Sequence, residues 1–289
     1  MWEFDFFREL FPPPFFRHVN ASQYPAVIKC SDVQHVAAIH EGSKAGHTKI
    51  IVQTSDEFKG SHDGCNGCAQ AFNDVPLVLR QYAFHLPGNY PNLTQIPLGY
   101  MVGMLRSPNE TGVQYHSSTT LARWSLARTT TDRAYKWTFI GSFHGKGEQD
   151  RKTAIETFAK WEPHFQSNSL KHHEMAAVYN NTVFVLVGRG WVTLDCFRIY
   201  ESLIGGALPL VVGSKDEVGH LFHYNGADMP LITADSWPSM LTICQGMTAA
   251  QIDEKRRELV MWYVNKIDHI KDLIGNTFNI TLPRARRRW

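Results

Sequence analysis

Cysteine is scarce and irregular: Cys30, Cys65, Cys68, Cys196 and Cys244 are all that the 289 residues contain. An odd, scattered set argues against a disulfide framework and fits a reducing compartment. The Cys65–Cys68 pair has His62 nearby but no second cysteine pair, so it offers three ligands at most and no structural zinc is expected. A surplus of charge of one sign is missing too. A formal net charge of +2 creates no field for nucleic acid or an anionic membrane, and neither partner is expected. The exception is the end, PRARRRW, read as part of a solvated basic tail over 276–289. No apolar run approaches the ~20 residues of a membrane helix. The start, MWEFDFFRELFPPPFF, is aromatic but broken by charges and by Pro12, Pro13 and Pro14, which suits neither a signal peptide nor an anchor. A cytoplasmic location is therefore expected, lumenal only if a leader or anchor has been trimmed. Internal repeats, heptads and low-complexity linkers are absent as well.

What is present is ordinary globular composition, 43% hydrophobic and 19% charged. The length suits one large domain or two of about 100–150 residues each. The first thirty residues read as irregular until the β-type run AVIKC. HTKIIVQTSDEF contains a buried strand over 49–53, and LVLRQYAF is a further strand, followed by the loop HLPGNYPNLTQ and the segment IPLGYMVGML. Residues 107–132 are rich in Ser, Thr, Asn and Arg with no sustained apolar period, which marks a domain boundary. Beyond it strands and helices alternate. KWTFIGSF is a strand, and EQDRKTAIETFAKW is a helix with Ala154, Ile155, Phe158 and Trp161 at helical spacing. HEMAAVYNN reads as a short helix feeding the strand TVFVLVG. The helix CFRIYESLIG, the strand ALPLVV, a small strand at PLITA and a long helix over 249–274 complete the order. Apolar strands alternating with helices imply parallel sheets covered on both faces. The expectation is an α/β chain with an N-terminal domain over 1–125, a C-terminal domain over 126–275 and a cleft between them.

The densest cluster of signals lies in LVGRGWVTLDCFRIYESLIGGALPLVV, residues 186–212. In open α/β sheets ligands sit at the carboxyl ends of strands, where free helix N–H groups favour anions. Gly188, Arg189 and Gly190 form a turn at such an end. Arg198 and Glu201 are three apart and share one face of the following helix. An arginine there can clamp a diphosphate through two N–H groups, and a carboxylate can accept from ribose hydroxyls. The bland alternative is a surface pair worth ~0.2–0.5 kcal/mol. A dinucleotide fingerprint fits poorly, since Thr193 stands where its third glycine belongs.

The same stretch resembles the donor-site signature of exostosin-like glycosyltransferases: strand, glycine loop, Arg-x-x-Glu helix, then a Pro-containing strand. KWTFIGSFHGKGEQDRKTAI resembles the family's strand–Gly–Ser corner with a downstream arginine, here Arg151. IIVQTSDEF, LRQYAF and IPLGY resemble its acceptor-side run, so the likeness covers roughly 49–215. Within the family the DCFRIYES helix looks most like the xylosyltransferases, including the ribitol xylosyltransferase group. A short, anchorless chain also resembles the xylosyltransferase that large algal viruses use on capsid glycans, which would place it in the host cytosol. The resemblance implies a GT-B fold of two Rossmann-like domains. It implies a nucleotide-sugar donor, with UDP-xylose foremost, and an oligosaccharide or glycan acceptor. Arg198 and Arg151 would neutralise the diphosphate and Glu201 would hold the ribose. Gly141, Ser142, Gly188, Arg189 and Gly190 would line the donor site. An observation on the sequence itself points the same way. There is no Asp-x-Asp, the pair that commonly chelates a divalent metal across a sugar diphosphate. No metal or other cofactor is expected, and arginines with helix dipoles would carry the leaving charge.

The family inverts at the anomeric carbon, which calls for one base on the acceptor side. Asp56 and Glu57 follow the strand KIIVQ at its carboxyl end and are the catalytic candidates. The competing reading is that Thr54, Ser55 and Asp56 only terminate the strand or cap a helix. Trp191, inside the glycine loop, is a candidate to stack on a base or sugar. Two other function classes stay open: a catalytically inactive relative that binds nucleotide or glycan, and a nucleotide-dependent oxidoreductase.

Overall fold

The computed structural model describes residues 4–12, 15, 26–29, 41–42, 44–54, 72–81, 90–100, 104, 117–143, 147–190, 193–224 and 227–283. Two all-parallel sheets organise them. The first holds β1 (Ala26–Lys29), β2 (Ile50–Thr54), β3 (Leu77–Arg80) and β4 (Leu93–Gln95) in that order. Ile50, Val52, Leu77 and Leu79 are buried, as the near-continuous apolar runs of a sheet covered on both faces require. α1 (Phe4–Leu10), where the sequence suggested irregular chain, packs through Phe6 on Tyr100. Phe6 and Leu10, four apart, are both buried, so the aromatic start is a short amphipathic helix.

The second sheet has the order β11-β8-β7-β5-β6. Its strands are β5 (Tyr135–Ile140), β6 (His164–Ser167), β7 (Thr182–Leu186), β8 (Leu208–Val212) and β11 (Ile232–Ala234). From β5 the chain crosses to β6 on one side and then returns to β7 on the other. The order therefore reverses between β5 and β7, and this is the switch point where a doubly wound sheet opens a crevice. The strands β9 (His223–Tyr224) and β10 (Ala227–Asp228) form a small antiparallel pair outside both sheets.

The crossover helices are α3 (Glu148–Phe158), α4 (His172–Asn180) and α5 (Phe197–Ile204). After them come α6 (Lys215–Phe222), α7 (Trp237–Gly246) and α8 (Ala249–Phe278). α3 packs with α7 and α4 with α5, whereas α5 also packs with α2 (Ser118–Ser125) and α8. α8 is 30 residues long. It starts with a capping box, Thr248 N–H to Gln251 Oε1 at 2.8 Å and Gln251 N–H to Thr248 Oγ at 3.3 Å. α2 occupies the stretch expected to be a loop-like boundary. Its buried face is Ser118, Thr119, Ala122 and Ser125, small and mostly hydroxylic, so a search for apolar periodicity passes over it.

α8 also reaches α1 and β3 and so ties the two sheets together. At this junction Glu9 accepts from Tyr100 Oη at 2.8 Å and from the Ser118 N–H at 3.0 Å, and lies 3.7 Å from Lys271 Nζ. A further bond crosses between the halves, from Gln95 Nε2 to the Leu221 carbonyl at 2.9 Å.

The amino end of the second sheet is closed by one buried guanidinium. Arg133 donates to the carbonyls of Tyr179, Asn180, Thr182 and Gly205 through Nη1, and to that of Ser125 through Nη2, at 2.9–3.4 Å. Replacing it leaves buried carbonyls without donors. Arg133→Met should destabilise the fold by about 2–4 kcal/mol, read as a lowered denaturant midpoint. An unchanged midpoint would show that these bonds contribute nothing net.

Candidate functional site

The carboxyl ends of β5 and β7 bring the sequence-derived residues together. β5 ends at Ile140, and the chain turns at Gly141 with φ +150°. The guanidinium of Arg198, from α5, lies directly on this turn. Its Nε donates to the Ile140 carbonyl at 2.6 Å, and its carbon stands 5.4 Å from the centre of the Phe139 ring. A Cβ at Gly141 would meet Arg198 Nη2 at 1.9 Å, so only glycine admits the arginine. Arg198 Nη1 makes a long contact of 3.9 Å to Cys196 Sγ, and burial pushes that thiol up, which keeps it neutral.

β7 ends at Leu186, and the second corner follows at Gly188 with φ +62°. Arg151, in the first turn of α3, is buried and clips the two corners to each other. Its Nη1 donates to the Ser142 carbonyl at 2.8 Å, while Nε and Nη2 donate to the Arg189 carbonyl at 3.1 and 2.7 Å. The Arg189 N–H is held by Asp150 Oδ2 at 2.8 Å, and the other oxygen of Asp150 accepts from Trp237 Nε1 at 2.7 Å. The Arg189 guanidinium turns away and forks onto Glu217 of α6 at 2.6–2.8 Å. Gly190 closes the loop on itself through its N–H to the Thr193 carbonyl at 2.8 Å.

Glu201 lies beneath Arg198 and is only 1% exposed. Its carboxylate acts electrostatically on Arg198 and on Tyr179 of α4, whose phenol is held above its ordinary range by burial first and by Glu201 second. Neither α3 nor α5 is capped by a side chain at its N-terminus. The N-termini of α3 and α5 and one arginine thus converge on one crevice, with Glu148 and Asp150 in the first turn of α3. Helix N-termini and a guanidinium both favour an anion, and the carboxylate of Asp150 is itself taken up by the Arg189 N–H and Trp237.

Asp56, Glu57 and Trp191 lie outside the described residues, as do His62, Cys65 and Cys68. β2 ends at Thr54, two positions before Asp56. Three participants were not singled out from the sequence: Asp150, Glu217 and Asp195. Asp150 adjoins Arg151 on the turn that faces the corner. Glu217 is 28 positions from its partner, a separation no local pattern reveals. Asp195 is 4% exposed, accepts from Tyr200 Oη at 3.3 Å, and keeps Oδ1 buried with no hydrogen-bond partner.

The curated relatives the chain resembles are ribitol-5-phosphate xylosyltransferases 1. The human protein is 23% identical over 167 residues, covering 49% of this chain and 37% of its own length. The zebrafish protein (Danio rerio) is 24% identical over 180 residues, 52% of this chain and 40% of its own. The chain therefore matches well under half the length of these relatives, and it is a distant homologue of them. No family model matches. Among solved structures, an α,α-trehalose-phosphate synthase (UDP-forming) from Burkholderia vietnamiensis aligns with 95% of this chain and 77% of its own, at TM-score 0.51 and 9% identity. The fold is GT-B, as the resemblance implied.

Asp195 yields a test of the corner that needs no ligand. Burial pushes its carboxyl up to about 8, against the opposing hydrogen bond from Tyr200. The folded value thus lies above the ~3.9 of an unfolded aspartate, so the folded state binds the extra proton. That contribution to stability is complete below about pH 4 and is lost as pH rises to about 8. Asp195→Asn has no proton to lose. Its stability relative to the parent should rise across this window and level off above it, measured by urea unfolding at stepped pH. A gap independent of pH would contradict the buried neutral carboxyl.

Proposed function

We propose that this chain is a glycosyltransferase that moves a sugar from a nucleoside diphosphate to a glycan hydroxyl, with xylose from UDP-xylose as the leading donor. The observation that carries the reading is Arg198, fixed by the Ile140 carbonyl at the switch point and flanked by two uncapped helix N-termini. The distant homology to xylosyltransferases and the GT-B fold support it.

In this mechanism the acceptor oxygen attacks the anomeric carbon as the bond to the diphosphate breaks. A single displacement inverts that carbon. The hydroxyl proton passes to a carboxylate of the N-terminal half, Asp56 or Glu57, and the electron pair leaves on the diphosphate. Arg198 meets the growing negative charge without a metal, because a guanidinium held in place needs no reorganisation as the bond breaks. Arg151 sets the two loops by holding the carbonyls of Ser142 and Arg189. Gly141, Ser142, Gly188 and Gly190 supply backbone or hydroxyl contacts. Glu201 takes the ribose hydroxyls, and from its buried place also acts on Arg198. Among the described residues no helix is long and apolar enough to cross a membrane.

Arg198→Ala should lower kcat/KM for UDP-xylose by about 10²–10³-fold, followed as UDP release with a glycan acceptor. Transfer at the parental rate by this variant would remove the arginine from the mechanism. Of Asp56→Asn and Glu57→Gln, one should be nearly inactive and the other close to the parent, with rates unchanged by EDTA. If both variants stay active, the base lies elsewhere. A parent that binds UDP and never transfers would be a catalytically inactive relative.

A further inference from the structure

A cavity of about 560 Å³ opens at the carboxyl ends of β8 and β11, between α6 and α7. Its size falls in the range of small-ligand sites. Its lining lies beyond β8 and β11, whereas the donor corner lies beyond β5 and β7. At ~4.8 Å per strand, the two lie roughly 10 Å apart along the sheet. Phe222, Met229 and Leu231 supply an apolar wall, and Lys215, Asp235 and Ser239 a polar rim.

Two features are costly unless something is bound. Gly219 lines the cavity from the interior of α6, where glycine is a poorer helix former than alanine. It has no left-handed backbone to accommodate, and a Cβ there would meet nothing within 4 Å. The fold therefore does not require the glycine, and what its missing side chain provides is room. Ile243, also lining the cavity, is 41% exposed and is one of two exposed large apolar side chains among the described residues.

We propose that this cavity is a second carbohydrate subsite, which takes one neutral sugar ring of a glycan beside the donor corner. A pyranose has an apolar C–H face and a rim of hydroxyls, and the cavity presents the complement of both. The ring face lies on Leu231 and Ile243, backed by the buried Phe222 and Met229, while hydroxyls donate to Asp235 and Ser239 and accept from Lys215. One lysine set against two aspartates, Asp228 and Asp235, disfavours a polyanion, which separates this site from the diphosphate corner. The choice of a sugar over another amphiphilic ring rests on the glycosyltransferase reading. α6 joins the two places. Gly219 faces the cavity, and Glu217, half a turn earlier, grips Arg189 of the glycine corner. A bound ring thus braces the helix that holds the corner.

The test is saturation-transfer NMR on the whole chain with xylobiose, lactose, cellobiose and maltose, each alone and with saturating UDP. At least one disaccharide should receive saturation that UDP does not displace. Gly219→Phe should weaken that binding by about tenfold while UDP affinity changes less than about twofold. Gly219→Ala should keep the binding and raise the unfolding midpoint. If Gly219→Phe does not fold, Ser239→Trp fills the cavity from α7 and is read the same way. The proposal is overturned if no disaccharide binds, if UDP displaces it, or if the filled variant binds as well as the parent. Sugar binding without UDP binding would retain the cavity and remove the donor corner instead.

Discussion

The contact between the Arg198 guanidinium and the backbone at Ile140 and Gly141 constrains everything around the crevice. It requires a residue without a Cβ at position 141 and fixes α5 against the end of β5. It also places a positive charge beside the Ile140 carbonyl, the face of Phe139 and the buried carboxylate of Glu201. A cation held this way is poised for an anion, since the protein has already met the cost of ordering it. Arg151 and Asp150 extend the same logic to the second corner by fixing the backbone of Arg189 from both its N–H and its carbonyl.

The opposite end of the sheet is treated differently. There Arg133 spends its donors on carbonyls of the fold itself, so that end is closed and structural. One α/β unit thus uses buried guanidinium groups in two ways: at the amino end to satisfy backbone, at the carboxyl end to organise a site. α8 and the Glu9 junction then connect the two sheets.

The strands and long helices of the second half were legible because their apolar spacing is strong and their ends are marked by glycine. The run from β7 through α5 to β8 is the clearest case, and it also carries Arg198. Other features were hidden for identifiable reasons. α2 buries hydroxyls in place of hydrocarbon, and α1 presents its buried pair amid charges. α6 and α7 are short, and α6 carries charges in its first turn. Within the site, the spacing of Arg198 and Glu201 was visible but their depths were not. Glu201 proves to be buried, and Arg151 binds backbone. The Arg189–Glu217 fork depends on the loop after β7 meeting α6 at the carboxyl edge, across 28 positions of chain.

The central claim is that this crevice receives a nucleoside diphosphate. Thermal unfolding with UDP, UDP-xylose, NAD and flavin, each with and without EDTA, tests it most directly. A ligand at 100 times its Kd adds ~2.7 kcal/mol, a readily measured shift in midpoint. UDP and UDP-xylose should stabilise the chain, unaffected by EDTA, and the effect should be lost in Arg198→Ala. Stabilisation by NAD or flavin instead, or by none of the four, would contradict it.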